Sequence, residues 1–159
     1  MTTQKQLEKR FPYMFQGPNI GLSIPKGWMP LFEKMCQDIN EVLGDDKRHF
    51  HFTQCKEKFG SARWYWAMSG RKPSIRIDLI AQDGVVSTLS KTPASKKPGH
   101  EVSEQISEII ERAEAKTHQA CIVCGKPAKH DSSGGYLLVL CPEHAAKRAH
   151  DTLEAFWDE

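Results

Sequence analysis

Apolar residues at Leu31, Phe32, Met35, Ile39, Val42 and Leu43 recur at spacings of three and four. They describe one face of a helix with Pro30 in its first turn and Gly44 as its stop. Ahead of it, Pro12, Gly17, Pro18, Gly21, Pro25 and Gly27 crowd the first 27 residues too closely for a long helix. Phe11, Tyr13, Phe15 and Ile20 are therefore expected to pin an irregular arm to the core. Beyond Gly44 the period drops to two: His49, His51 and Thr53 alternate with Phe50 and Phe52 over 49–54, and a second strand is predicted over 62–68. Ile75, Ile77 and Leu79 alternate with Arg76 and Asp78 over 74–80, and a further strand is predicted over 85–89, with Gln82-Asp83-Gly84 as the tight turn between them. These segments predict an antiparallel meander of about four strands. Residues 91–99 hold two prolines and three lysines, a linker composition. A helix follows from about Glu101, with Val102, Ile106, Ile109, Ile110 and Ala113 on one stripe; Glu101 and Glu104 suit its positive N-terminal end.

The expected fold class is α+β: an antiparallel sheet of about four strands with helices, then a small C-terminal finger. Residues 1–90 form the arm, helix and sheet, 91–100 a linker, and 101–159 the helix and finger, packed as one unit. A length of 159 residues suits one domain, and 39% hydrophobic with 26% charged residues is ordinary globular usage. No apolar run approaches the ~18 to 20 residues of a membrane helix, and residues 1–10 lack the apolar stretch of a secretory signal. A cytoplasmic protein is expected.

The finger rests on Cys121-Ile122-Val123-Cys124-Gly125 and Cys141-Pro142-Glu143-His144. A Cys-x2-Cys pair in a tight turn lets two thiolates converge on one ion. The stretch between the pairs, with Asp131-Ser132-Ser133-Gly134-Gly135 at its middle, reads as a hairpin, and the second pair lies on the first turn of a helix running to about Trp157. Knuckle, hairpin and helix form a treble clef. Three soft thiolates and an imidazole select zinc, and with four protein ligands no position stays open, so the ion is structural. A thioredoxin-like redox pair would leave Cys141 and His144 without a role. Cys36 and Cys55 stand apart and read as small buried hydrophobes; an odd cysteine count fits a reducing compartment.

Treble clefs also occur in HNH-type nucleases. His130-Asp131 is the one local candidate for a hydrolytic histidine, but the only asparagines, Asn19 and Asn40, are remote from the finger. No Ser, His and Asp set has a recognisable local context either, so no enzyme is read here. His49, His51, His100, His118 and His150 read as surface or edge histidines.

A net charge of +2 conceals a basic middle: residues 47–100 carry +8, while 101–118 and 142–159 carry −3 each. Within the basic segment, residues 56–66 are the densest cationic and aromatic run. Two readings stay open. Lys56, Lys58, Arg63, Tyr65, Arg71, Lys72 and Arg76 could face a partner protein or nucleic acid, with aromatics available for base stacking. Alternatively, Trp64 and Trp66 fill the core and the charges are a solvated face.

Gly27-Trp28 opening a helix, then Lys56-Glu57-Lys58-Phe59-Gly60 with Arg63 and Tyr65, then a helix leading into Cys121-x2-Cys124 and Cys141-x2-His144, resembles small uncharacterised zinc-finger proteins of bacteriophages and prophages. The resemblance spans about residues 27–144. Ser61-Ala62 stands where a glycine and a bulky aliphatic residue are more usual, and Trp64 where phenylalanine is usual, which marks a divergent member. The resemblance implies a phage origin and a zinc ion, and no named activity. The expected function is a binding module acting on a host or phage protein, for example an inhibitor of a defence protein. The alternative is nucleic-acid binding through residues 47–100.

Overall fold

The computed structural model describes residues 2–70, 75–81, 84–90 and 100–157. The arm is less irregular than its prolines and glycines suggest. It begins with two short helices, α1 (Gln4–Arg10) and α2 (Pro12–Phe15). Thr3 starts α1 with a reciprocal capping box, its hydroxyl accepting from the Gln6 amide while the Gln6 side chain accepts from the Thr3 amide. Pro12 then sits at the start of α2, the one helical position where a missing N–H costs nothing.

Helix α3 (Met29–Leu43) follows the predicted stripe: Phe32, Met35, Ile39 and Leu43 are buried, with Cys36 beside them, and Gly44 closes the helix with φ +63°. Strands β1 (His51–Lys58) and β2 (Ser61–Ala67) form an antiparallel hairpin joined by the two residues Phe59 and Gly60, both at positive φ. A type I′ connection requires that backbone, and its twist matches the strands. A bulge between Phe52 and Gln54 resets the alternation of β1, so Phe52 and Cys55 both face the core. Phe32 packs edge-on against Trp64 at 5.1 Å and tilts against Phe52 at 5.0 Å; Phe50 links Phe52 to Trp66.

The expected four-stranded meander is corrected by the pairing. Strands β3 (Ile75–Ala81) and β4 (Gly84–Ser90) pair only with each other, so the described strands form separate two-stranded sheets. Hydrogen bonds explain why the first hairpin gains no third sheet strand from β3. The outer amides of β2 are already used: Ala62 donates to Thr117 Oγ1 at 3.0 Å and Trp64 donates to Glu114 Oε2 at 2.8 Å, both on helix α4 (His100–Thr117). The outer edge of β1 is taken by the arm, where Cys55 donates to the Gly21 carbonyl and accepts from the Ser23 amide. Both edges are closed to further strands. The Gln82-Asp83 turn and the 91–99 linker lie outside the described residues.

Helix α4 packs against α3 and β2, burying Ile106, Ile110 and Ala113 as its stripe predicts, together with polar Ser103, Glu114 and Thr117. The chain then turns into the finger: hairpin β5 (Lys129–Asp131) and β6 (Leu138–Leu140), then helix α5 (Pro142–Ala149). That last helix is shorter than expected. Asp151 takes φ +56°, and residues 152–157 turn back over the arm, with Leu153 and Phe156 partly buried.

Candidate metal centre

Each ligand is positioned by local geometry. Cys121 and Cys124 sit on a tight turn closed by Gly125, whose amide donates to the Cys121 carbonyl at 2.8 Å and whose φ is +80°. Cys141 is the residue that starts α5, and His144 lies three residues on, one turn along the same helix face. The four ligand atoms all lie within 4.8 Å of one another. Cys124 Sγ is 3.8 Å from Cys141 Sγ, and His144 Nδ1 is 3.5 Å from Cys121 Sγ and 3.1 Å from Cys141 Sγ. A tetrahedral ion with metal–sulfur bonds of about 2.3 Å and metal–nitrogen bonds of about 2.0–2.1 Å separates sulfurs by roughly 3.8 Å and sulfur from nitrogen by roughly 3.5 Å. The donor set and its spacing therefore fit one metal ion.

Local electrostatics prepare the thiols for it. Burial pushes Cys121 up, but backbone amides of Cys141, Cys124 and Val123 aimed at its sulfur outweigh burial and hold it below its ordinary value. Cys124 is pushed up to about 11, by burial first and then by the neighbouring sulfurs of Cys121 and Cys141. A cation placed among them relieves that repulsion. His144 is oriented by Nδ1 facing the sulfurs, which turns Nε2 outward to Glu154 Oε2 at 4.0 Å, and Glu154 is itself paired with Lys147.

The centre is fastened to the rest of the molecule by the segment around Gly27 and Trp28, where the arm enters α3. The Gly27 amide donates to the Ile122 carbonyl at 2.9 Å and the Trp28 indole N–H donates to the Ala120 carbonyl at 2.9 Å. A Cβ on Gly27 would lie far inside van der Waals contact distance of the Cys121 carbonyl oxygen. On its other side the same segment meets the C-terminal tail, Lys26 donating to the Phe156 carbonyl at 2.6 Å. Within the finger, Arg148 ties α5 to the hairpin, donating to the Asp131 carbonyl and to Asp131 Oδ1 (2.9 Å), donating to the Tyr136 carbonyl, and lying over the Tyr136 ring.

The basic aromatic run is split by the fold. Arg63 is 2% exposed, and Trp64 and Trp66 are core residues. Arg63 is therefore no surface contact: the hairpin turn beside it lies against the finger, where a Cβ on Gly60 would stand 3.0 Å from His130 Nδ1 and 3.4 Å from Leu137. Lys58 is exposed and lies over the Phe59 ring, while Lys56 lies over a half-buried Tyr65. Arg71 and Lys72 lie outside the described residues, and Arg76 is on β3, away from this hairpin in the pairing. Among the described candidates, Arg63 is thus buried while Lys58 is exposed and Lys56 and Tyr65 are half-buried. Cys36 and Cys55 are buried, and burial pushes both thiols up, which leaves them poor nucleophiles.

Among the described residues no helix is long and apolar enough to cross a membrane. No family model matches the chain, and neither a curated protein nor a solved structure is significantly similar to it.

Proposed function

We propose that Cys121, Cys124, Cys141 and His144 hold one structural zinc ion in a treble-clef finger, and that the protein is a small phage-type accessory module that binds a host or phage protein in the bacterial cytoplasm. The observation that carries the choice of partner is the burial of Arg63, Trp64 and Trp66. Base stacking needs exposed aromatic faces beside the cations, and the two tryptophans of this run face inward. The zinc reading rests on the donor set: three thiolates with one imidazole favour zinc over harder divalent ions, and four protein ligands complete its tetrahedron.

Tagged protein captured from a bacterial lysate, with and without nuclease, tests the reading. A discrete partner that survives nuclease and binds purified protein again at equimolar ratio is the expected result. Capture of nucleic acid, with affinity falling steeply as salt rises, overturns it in favour of the basic-segment alternative. Elemental analysis of the same sample is expected to find one zinc per chain.

A further inference from the structure

A carboxylate of the C-terminal tail stands against the metal ligand His144, and the tail is fastened on both sides of it. After α5 the chain reverses at Asp151, and the Thr152 amide and hydroxyl both donate to the Lys147 carbonyl, at 2.8 and 3.1 Å. Farther on, the Phe156 carbonyl accepts from the Lys26 amide at 2.6 Å, the Ala155 carbonyl accepts from Lys26 Nζ at 3.5 Å, and Trp157 forms an antiparallel bridge with Pro25. Leu153 and Phe156 pack against the core. Glu154 sits between these fastenings, with Oε2 4.0 Å from His144 Nε2 and Oε1 paired with Lys147. Lys147 has a second carboxylate within reach, Glu143 at 3.7 Å, whereas among the described residues His144 Nε2 faces Glu154 alone.

His144 turns Nδ1 to the sulfurs, 3.1 Å from Cys141 and 3.5 Å from Cys121, so ligation through Nδ1 leaves the ring's proton on Nε2. Ligating imidazoles give that proton to a carboxylate, a carbonyl or a water, which fixes the tautomer and raises the basicity of the ligating nitrogen. The Glu154 oxygen is about 1 Å beyond hydrogen-bond distance, a gap that a turn of its half-exposed side chain closes. We propose that Glu154 is the positioning residue of the metal centre, accepting the Nε2 proton of His144 and thereby latching tail residues 152–157 to the ion. The assignment rests on the zinc reading of the cysteine cluster. Coupling of this kind is reciprocal: whatever the docked tail adds to metal affinity, the bound metal adds to docking of the tail. The tail lies along Pro25 and Lys26, immediately before the Gly27 and Trp28 donors that hold the knuckle, so ion, tail and arm close on one another.

The test uses full-length protein carrying its native metal, equilibrated with a chromophoric zinc chelator. Glu154→Ala is expected to lower zinc affinity about tenfold. Lys147→Met breaks the same ion pair but leaves the carboxylate, and should lower affinity only about twofold. Glu154 is more than half exposed, so its truncation leaves the packing intact. The proton itself supplies a signature that a merely structural role would not move. In nitrogen-15 spectra the His144 Nε2–H resonance should exchange slowly with water in wild type and in Lys147→Met, and be lost to fast exchange in Glu154→Ala. The Lys26 amide, bonded to Phe156, should lose its exchange protection in the same variant. Equal affinity losses in the two variants, or an Nε2–H resonance unchanged in Glu154→Ala, overturns the assignment. Zinc held equally by wild type and Glu154→Ala overturns the assignment alone, whereas a wild-type chain that binds no zinc overturns the zinc reading with it.

Discussion

The metal knuckle and the β1–β2 hairpin touch each other where His130 meets Gly60, yet they are organised on different principles. In the knuckle, ligands three residues apart converge because a turn and a helix start have fixed local shapes, as in the 3.1 Å approach of His144 to Cys141, and the short hairpin between the two pairs brings them to 3.8 and 3.5 Å of each other. In the hairpin, alternation assigns residues to faces but leaves open what covers each face. One face meets the aromatic cluster of α3, and Arg63 on the other is buried as well. A charged residue placed outward by its own strand thus ends inside the molecule. Local spacing is a good guide to chemistry that closes over a few residues, and a poor one to exposure.

The largest effect expected is loss of the ion. Cys124→Ser, or incubation with a strong chelator, should abolish cooperative unfolding of the whole molecule and not the finger alone, because binding of a structural zinc is worth about 10–16 kcal/mol and the knuckle is bonded to Gly27 and Trp28. Near-ultraviolet circular dichroism during chelation reads the tryptophans directly. A finger that melts while the Trp28 and Trp64 signals persist would separate the two regions again.

Next in size is Gly27→Ala. With no room for a methyl group beside the Cys121 carbonyl, the arm or the knuckle must move, at a cost of about 3 kcal/mol or more; the urea midpoint measures it. The sharper contrast lies within the hairpin. Arg63→Ala removes a buried cation and should cost about 2 kcal/mol or more, whereas Lys58→Ala, exposed on the adjoining strand, should stay within roughly 0.5 kcal/mol of wild type in the same denaturation experiment. Equal costs would mean that Arg63 is not held inside.

The smallest effect concerns the clamp between β5 and α5. Asp131 is held below the ordinary aspartate value, first by the Ser133 hydroxyl and further by Arg148. A carboxylate whose folded value is lowered stabilises the fold above its unfolded value and loses that contribution as pH falls through the folded one. The difference in Tm between wild type and Asp131→Asn should therefore be largest above about pH 4 and close in stronger acid. A difference that persists in strong acid would assign the stabilisation to packing instead.

Much of the architecture is legible along the chain. The α3 stripe with its Gly44 stop, the α4 stripe, the pairing of neighbouring strands and the Cys3His cluster all follow from periodicities and short spacings. Their physical cause acts within a turn or two of backbone, so neighbouring residues carry the whole signal. The separation of the hairpins has no such signature. It depends on Thr117 and Glu114 reaching the β2 amides across 55 and 50 residues, side chains that a stripe-based reading of α4 leaves on its polar flank. The clamp on the metal centre is as distant, with Trp28 donating to a carbonyl 92 residues away, and so is the meeting of His118 with His130. An amide donor or a histidine has the same local sequence whether or not a partner arrives from another part of the chain. Which of them pair is settled when the helices and the finger close over the hairpin and every buried polar group must find its complement.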